Sequence, residues 1–140
     1  MSRRISLEVV TPTKIELKEE VDYVVVPTID GVVGVLPGHI RLLTRLTTGV
    51  LRYRVNGVDN YMAVSEGFME VTPHKVIVLA EAANLPEHIN VEQALAEKRE
   101  AEAALHRAMA AGEKMNLLRL ESNLQRAIIE IDIAKKHPIK

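Results

Sequence analysis

Three groups of residues have types and spacing that invite a chemical reading. The first is Gly31-Val32-Val33-Gly34-Val35-Leu36-Pro37-Gly38-His39. A Walker-type loop needs Gly-Lys-Ser/Thr after its last glycine to hold phosphate and magnesium, and here Gly38 is followed by His39-Ile40. A KH-type loop joins helices and clamps nucleic-acid phosphates beside basic residues, whereas Gly31-Val32-Val33-Gly34 lies among strand-like segments without such neighbours. The second group is the histidines, His39, His74, His88, His106 and His137, which form no i, i+4 pair and no HExxH pattern, so a zinc site is not expected. The third, Ser65-Glu66-Gly67, lacks the flanks of a nucleophile elbow. No catalytic constellation emerges. What the segment at 31–39 does offer is an apolar surface of fixed shape: glycines allow positive φ or close approach, and Pro37 fixes φ and removes a donor. That combination suits contact with another protein.

Composition narrows the alternatives. At 140 residues and 47% hydrophobic content the chain can build one or two small cores. A net charge of −1 provides no field for nucleic acid. The lack of cysteine removes disulfides, thiolate catalysis and Cys-ligated metals, and fits a reducing compartment. No stretch reaches the ~20 apolar residues that span a bilayer, and the first residues hold no signal-peptide core, so a soluble protein linked to membranes only through partners is expected.

The elements that must position these residues fall into two halves. Up to about Ala83 the pattern alternates with period two: Ile5, Leu7 and Val9 face one way, and Ile15 and Leu17 repeat the pattern inward. Residues 21–26 form a denser β-branched run that suits a strand covered on both faces. Residues 51–64 form a hairpin about Asn56-Gly57, the favoured type I′ pair, which sets Val55 opposite Val58 and Arg54 opposite Asp59. Leu51, Tyr53, Val55, Val58, Met62 and Val64 then share the inward face. A second hairpin joins residues 68–71 to 75–79 through Thr72-Pro73-His74, and short strands with frequent turns predict an antiparallel β-sandwich over residues 1–85.

After Leu85-Pro86 the composition shifts to alanine, glutamate, arginine and leucine with helical period, which marks a second domain over residues 86–140. Asn90 N-caps a helix from Val91 to about Ala111, with Gln93 completing a capping-box-like pair, and Gly112 suits the left-handed residue that ends it. A second helix is expected from near Glu113 to His137, before Pro138. Its stripe of Leu117, Leu120, Leu124, Ala127 or Ile128, Ile131 and Ala134 meets mainly alanines on the first helix, so this antiparallel two-helix hairpin is held closed weakly. Pairs such as Glu102 with His106 or Arg107 would lace its solvated face.

The G-x-x-G-x-L-P-G-H run, followed by Val64-Ser65-Glu66-Gly67-Phe68-Met69-Glu70-Val71 and Val76-Ile77-Val78-Leu79-Ala80-Glu81-Ala82-Ala83, resembles the epsilon subunit of bacterial F-type ATP synthases over nearly the whole chain. The resemblance implies a non-catalytic central-stalk subunit that couples proton-driven rotation to ATP synthesis. Its implied partners are the gamma subunit, the c-ring, and the beta and alpha subunits, at the cytoplasmic face of the bacterial membrane. Gly31, Gly34, Pro37, Gly38 and His39 would shape the rotor-ring contact. Arg99, Arg107, Lys114, Arg119 and Arg126 would meet an acidic loop of beta when the hairpin rises to block hydrolysis. Some members bind ATP through Ile/Leu-Asp-x-x-Arg-Ala, and the matching segment here is Ile89-Asn90-Val91-Glu92-Gln93-Ala94. Asn90, Gln93 and Arg126 are the corresponding positions, but Glu130 falls where a further arginine would stand. The lost cations argue against tight ATP binding, so no cofactor is expected, and a nucleotide-sensing hairpin is the alternative function.

Overall fold

The computed structural model describes residues 3–114 and 116–136. The expected ends at His137 and Pro138 lie outside these residues. Ten strands precede two helices: β1 Ile5–Val10, β2 Ile15–Val21, β3 Tyr23–Thr28, β4 Gly31–Val35, β5 Leu42–Leu46, β6 Gly49–Val55, β7 Val58–Val64, β8 Gly67–Val71, β9 Lys75–Ala80, β10 Ala83–Asn84, α1 Val91–Ala110 and α2 Leu117–Lys136. A 3-10 turn, Pro86–His88, joins the two halves.

All strands belong to one sheet in the order β10-β7-β6-β3-β5-β8-β9-β1-β2, with β4 on β3, folded over into a sandwich. Every pairing is antiparallel except β1 along β9, which lets the first strand slot between the last hairpin and β2. The turn of the sheet lies at β3. Tyr23, Val24 and Val25 pair with β6, while Thr28 alone passes the same edge to β5 through Leu46. β4 occupies the other edge. Bonds from Ile29 N to Arg45 O (3.1 Å) and Thr47 N to Pro27 O (3.2 Å) close this seam.

The core follows the alternation. Ile5, Leu7 and Val9 are fully buried beside Met69, Val76 and Val78 of the neighbouring strands β8 and β9, in one core with Val24 and Val26 of β3 and Leu51 and Met62 of the hairpin. The hairpin register is as expected, Val55 opposite Val58 and Arg54 opposite Asp59, with Asn56 and Gly57 at φ 51° and 80°. Three expectations change. Ile15 is exposed because a register shift at Val9/Val10 lies where β2 begins, and Val58 is exposed because it sits at the hairpin tip, beyond the core. The β-branched run at 21–26 is broken at Asp22, and Tyr23 and Val25 point to a half-covered outer face.

α1 begins as predicted: Asn90 Oδ1 accepts from Gln93 N at 3.0 Å. The Gln93 side chain turns forward to Glu97 Oε1 (3.2 Å) rather than back, so the box is half formed. The helix closes in a Schellman motif, with Glu113 N on Ala108 O (2.9 Å), Gly112 N on Met109 O (3.2 Å) and Gly112 at φ 70°. Because Glu113 closes α1 it cannot open α2, which starts at Leu117 instead. α2 lies between α1 and the outer face of β6 and β7.

Candidate protein-docking interface

The 31–39 segment is half strand, β4, and half turn. Thr28 Oγ1 donates to Gly31 O (2.6 Å) and accepts from Asp30 N (3.2 Å), which pins a two-residue turn. Gly31, at φ 108°, leaves that turn into β4. Gly34 sits mid-strand with open space where a Cβ would be, so no contact there requires glycine. Pro37-Gly38 form a turn closed by His39 N on Leu36 O (3.1 Å), with Gly38 at φ 84° as a type II turn demands. Gly38 N also bonds Pro73 O (2.9 Å), which fastens the turn to the β8–β9 hairpin. His39 Nδ1 donates to Ile40 O (2.7 Å). The fixed backbone presents Ile29, Val32, Leu36 and Ile40 outward, each more than half exposed.

A second apolar surface was not singled out in the sequence. Cross-strand pairing aligns Arg45, Phe68, Leu79, Val10 and Ile15 in one row over five strands. Phe68, Leu79 and Ile15 are each at least half exposed, at 52%, 51% and 58%. Phe68 and Leu79 border a groove of about 470 Å³ that Val10, Gly67 and Ala80 also line. A Cβ on Gly67 would overlap the Leu79 carbonyl, so this glycine permits the close approach of β8 and β9. Further along the same face the row turns ionic, with Glu8 between Lys75 (3.0 Å) and Lys18 (3.8 Å). The signal available in the sequence was phase: Phe68 and Leu79 alternate with the buried Met69 and Val78.

At the hairpin tip Asp59 accepts from Arg54 Nε (2.7 Å) and Tyr23 OH (3.0 Å), and both Arg52 and Arg54 lie over the Tyr23 ring. The Arg54 hydrogen bond, chiefly, holds the Asp59 carboxyl below the usual aspartate range and raises Arg54 in turn. Burial pushes the Tyr53 phenol up to about 12, with Glu19 and Glu87 adding to it. Ser65 Oγ accepts from Ala82 N at 2.8 Å, which ties it to the strand leading into β10. Among the described residues no three His, Asp or Glu side chains converge on a metal position.

The hairpin rests on the sandwich through one side of α2. Ser122 Oγ meets Thr48 Oγ1 at 3.3 Å, and Glu130 Oε1 accepts from Asn84 Nδ2 at 3.4 Å. Ile133 lies on the Ser122 side at 3.6 residues per turn and is 1% exposed, although the expected stripe omitted it. Ala127 and Ile131, which the stripe included, are buried on the opposite side from Ser122, and α1 buries Ala94, Ala101 and Ala108. Ile128 is exposed instead. Arg99, Arg107, Lys114 and Arg119 are exposed along the hairpin, and Arg126 pairs with Glu130 at 3.6 Å. This is an i, i+4 ion pair on α2, whereas the expected pairs of Glu102 with His106 or Arg107 are not formed among the described residues. Asn90, Gln93 and Arg126 line one cleft, but Glu97 and Glu130 line it too.

The fold is a β-sandwich with two exposed apolar surfaces, followed by a helical hairpin that docks on it through α2. Comparison with known proteins agrees. Residues 4–86 match the family of the ATP synthase Delta/Epsilon chain, beta-sandwich domain. The ATP synthase epsilon chain of Nitratidesulfovibrio vulgaris is 41% identical over 133 residues, 95% of this chain and 97% of its own length. That of Desulforamulus reducens is 40% identical over 135 residues, 96% and 100%. A chain in the cryo-EM structure of the Euglena gracilis mitochondrial ATP synthase, OSCP/F1/c-ring in rotational state 1, superimposes with TM-score 0.73 at 25% identity, covering 96% of this chain and 82% of that one. A chain in the Tetrahymena thermophila mitochondrial central stalk/c-ring structure has the same fold, with TM-score 0.58 at 12% identity, covering 95% and 98%. The chain belongs to the ATP synthase epsilon-chain family, a non-catalytic subunit of that complex.

Proposed function

We propose that this subunit couples rotation to ATP synthesis through the two apolar surfaces, and that its hairpin is a brake on hydrolysis. The corner of Ile29, Val32, Leu36 and Ile40, braced by the Pro37-Gly38 turn and by His39, meets the c-ring. The row of Phe68, Leu79 and Ile15 packs on gamma. The observation that carries the brake is the nature of the α2 seat: one fully buried isoleucine, small side chains and two side-chain hydrogen bonds, a contact weak enough to be exchanged for another. Released, the hairpin carries Arg99, Arg107, Lys114, Arg119 and Arg126 to beta and alpha. In this reading the subunit sits at the cytoplasmic face of the cell membrane through its partners; no described helix is long and apolar enough to cross a membrane.

The test is ATP hydrolysis by a purified α3β3γ assembly, comparing the full chain with one ending at Asn84, after binding of both is verified. Inhibition by the full chain alone supports dock and brake. Binding of both without inhibition removes the brake. A second reading, ATP held at the hairpin, draws on the cleft that gathers Asn90, Gln93 and Arg126. Two carboxylates in that cleft oppose phosphate, and titration calorimetry with Mg-ATP decides, since absent or millimolar binding ends it.

A further inference from the structure

Glu130 is the charged residue buried among the described residues, at 9% exposure, and it is buried at the seat of the hairpin. Its surroundings come from four elements. β10 contributes the Asn84 amide, α2 contributes Arg126, α1 contributes Glu97, and the 3-10 turn contributes His88 to the same cleft, with Asn90 and Gln93 at its mouth. β7 and β6, on which α2 packs, carry Tyr61 and Arg52 opposite each other, but neither lines this cleft, and β7 meets β10 there at Ala63 and Val64.

These neighbours differ in what they do when α2 leaves the sandwich. Arg126 is one turn away on the same helix, so the ion pair travels with α2 and favours the carboxylate in both states. At 3.6 Å it is also too long for a hydrogen bond to compensate burial fully. What docking adds is removal from water, which disfavours the charged form, against one long amide hydrogen bond of 3.4 Å. Glu97, across the cleft, adds like-charge repulsion while the helices are together.

We propose that docking of α2 on the sandwich takes up a proton at Glu130, which makes the hairpin a latch that tightens as pH falls. This rests on reading α2 as a detachable lever. Burial, foremost, raises the Glu130 carboxyl above the ordinary 4.5, and Glu97 adds to it. For an acid raised in the docked state, docking is tightest below the ordinary value, where both states are protonated. It weakens as pH rises through the window up to the raised value, by tenfold for each unit of difference.

The experiment is hydrogen exchange of α2 amides in the full chain, wild type against Glu130→Gln, from pH ~5 to ~8, so that intrinsic exchange chemistry cancels between the two. The expected result is a wild-type to variant protection ratio that falls as pH rises. A flat or rising ratio overturns the latch. His88→Gln should keep the wild-type response, and its loss would place the proton elsewhere and overturn the proposal. If Glu130→Gln leaves α2 unprotected at every pH, the ¹³C titration of the Glu130 carboxyl in the wild-type chain decides: a midpoint above 4.5 supports the latch and one at or below overturns it. The brake is read separately by hydrolysis, so an inhibiting hairpin with a flat exchange ratio retires the latch alone, and a titrating latch without inhibition retires the brake alone.

Discussion

Replacing Ile133 by Ala tests whether the hairpin and the sandwich are separable units. Ile133 is 1% exposed on the side of α2 that carries the Ser122–Thr48 bond, so its side chain fills the seat itself. Buried Ile→Ala changes cost ~2–5 kcal/mol, the lost transfer energy plus a cavity term. The seat is shallow and can partly collapse, which places the cost near ~3 kcal/mol, roughly a hundredfold in the docking equilibrium. Native-state hydrogen exchange reads this directly. Amides of α2 should lose about two orders of magnitude of protection, while those of β1 and β9, in the centre of the sandwich, keep theirs. Ile131→Ala, on the α1 side of the same helix, should instead loosen the two helices from each other. If β1 and β9 lost protection by the same factor as α2 in the Ile133 variant, docking and folding would be one transition and the lever reasoning would fail.

Two further perturbations probe the sandwich. Gly67→Ala places a Cβ onto the Leu79 carbonyl and 2.9 Å from Ala80 Cα. It should cost the upper part of the ~1–3 kcal/mol overpacking range or more, because the obstacle is backbone, and urea denaturation would show a lowered midpoint; an unchanged midpoint would contradict the β8–β9 spacing. Asp59→Asn removes a carboxylate held below 3.8, mainly by Arg54. The stabilisation it gives is fully present above that ordinary value and is lost as pH falls through the depressed one, so the gap in stability between wild type and variant should close with acidification, and a gap constant with pH would exclude the linkage.

Local chemistry made much of the fold legible. Asn56-Gly57 dictated a hairpin whose register placed Arg54 beside Asp59, and that pair is among the shortest ion pairs in the structure. Asn90 and Gly112 marked both ends of α1 because capping depends on a few adjacent residues. The misreadings share one cause. Gly31–Val35, expected only as an apolar surface of fixed shape, is a strand because β3 supplies a partner edge. Ile133 fell outside the helical stripe because that stripe describes contact with α1, whereas Ile133 answers to the sandwich, which only the tertiary arrangement brings near. The row from Phe68 through Leu79 to Ile15 crosses four strands from two distant parts of the chain, so its continuity depends on register between β8, β9, β1 and β2. Of the expected contact residues, Pro37, Gly38 and His39 share one turn, while Gly34 has no local geometric requirement for glycine.

The single-pair seam between β3 and β5 gives the sandwich an uneven mechanical character. The corner at Ile29–Ile40 hangs on β3 and β4, whereas the apolar row lies on β8, β9, β1 and β2, and the ladder joining these regions narrows to Thr28 opposite Leu46. A twisting load applied at one region and resisted at the other would be carried by the few hydrogen bonds of that neck, by the Gly38–Pro73 bond and the chain running from the corner into β5, and by the packed interior. The neck is therefore the compliant joint of the domain, where elastic strain would collect between two stiff plates.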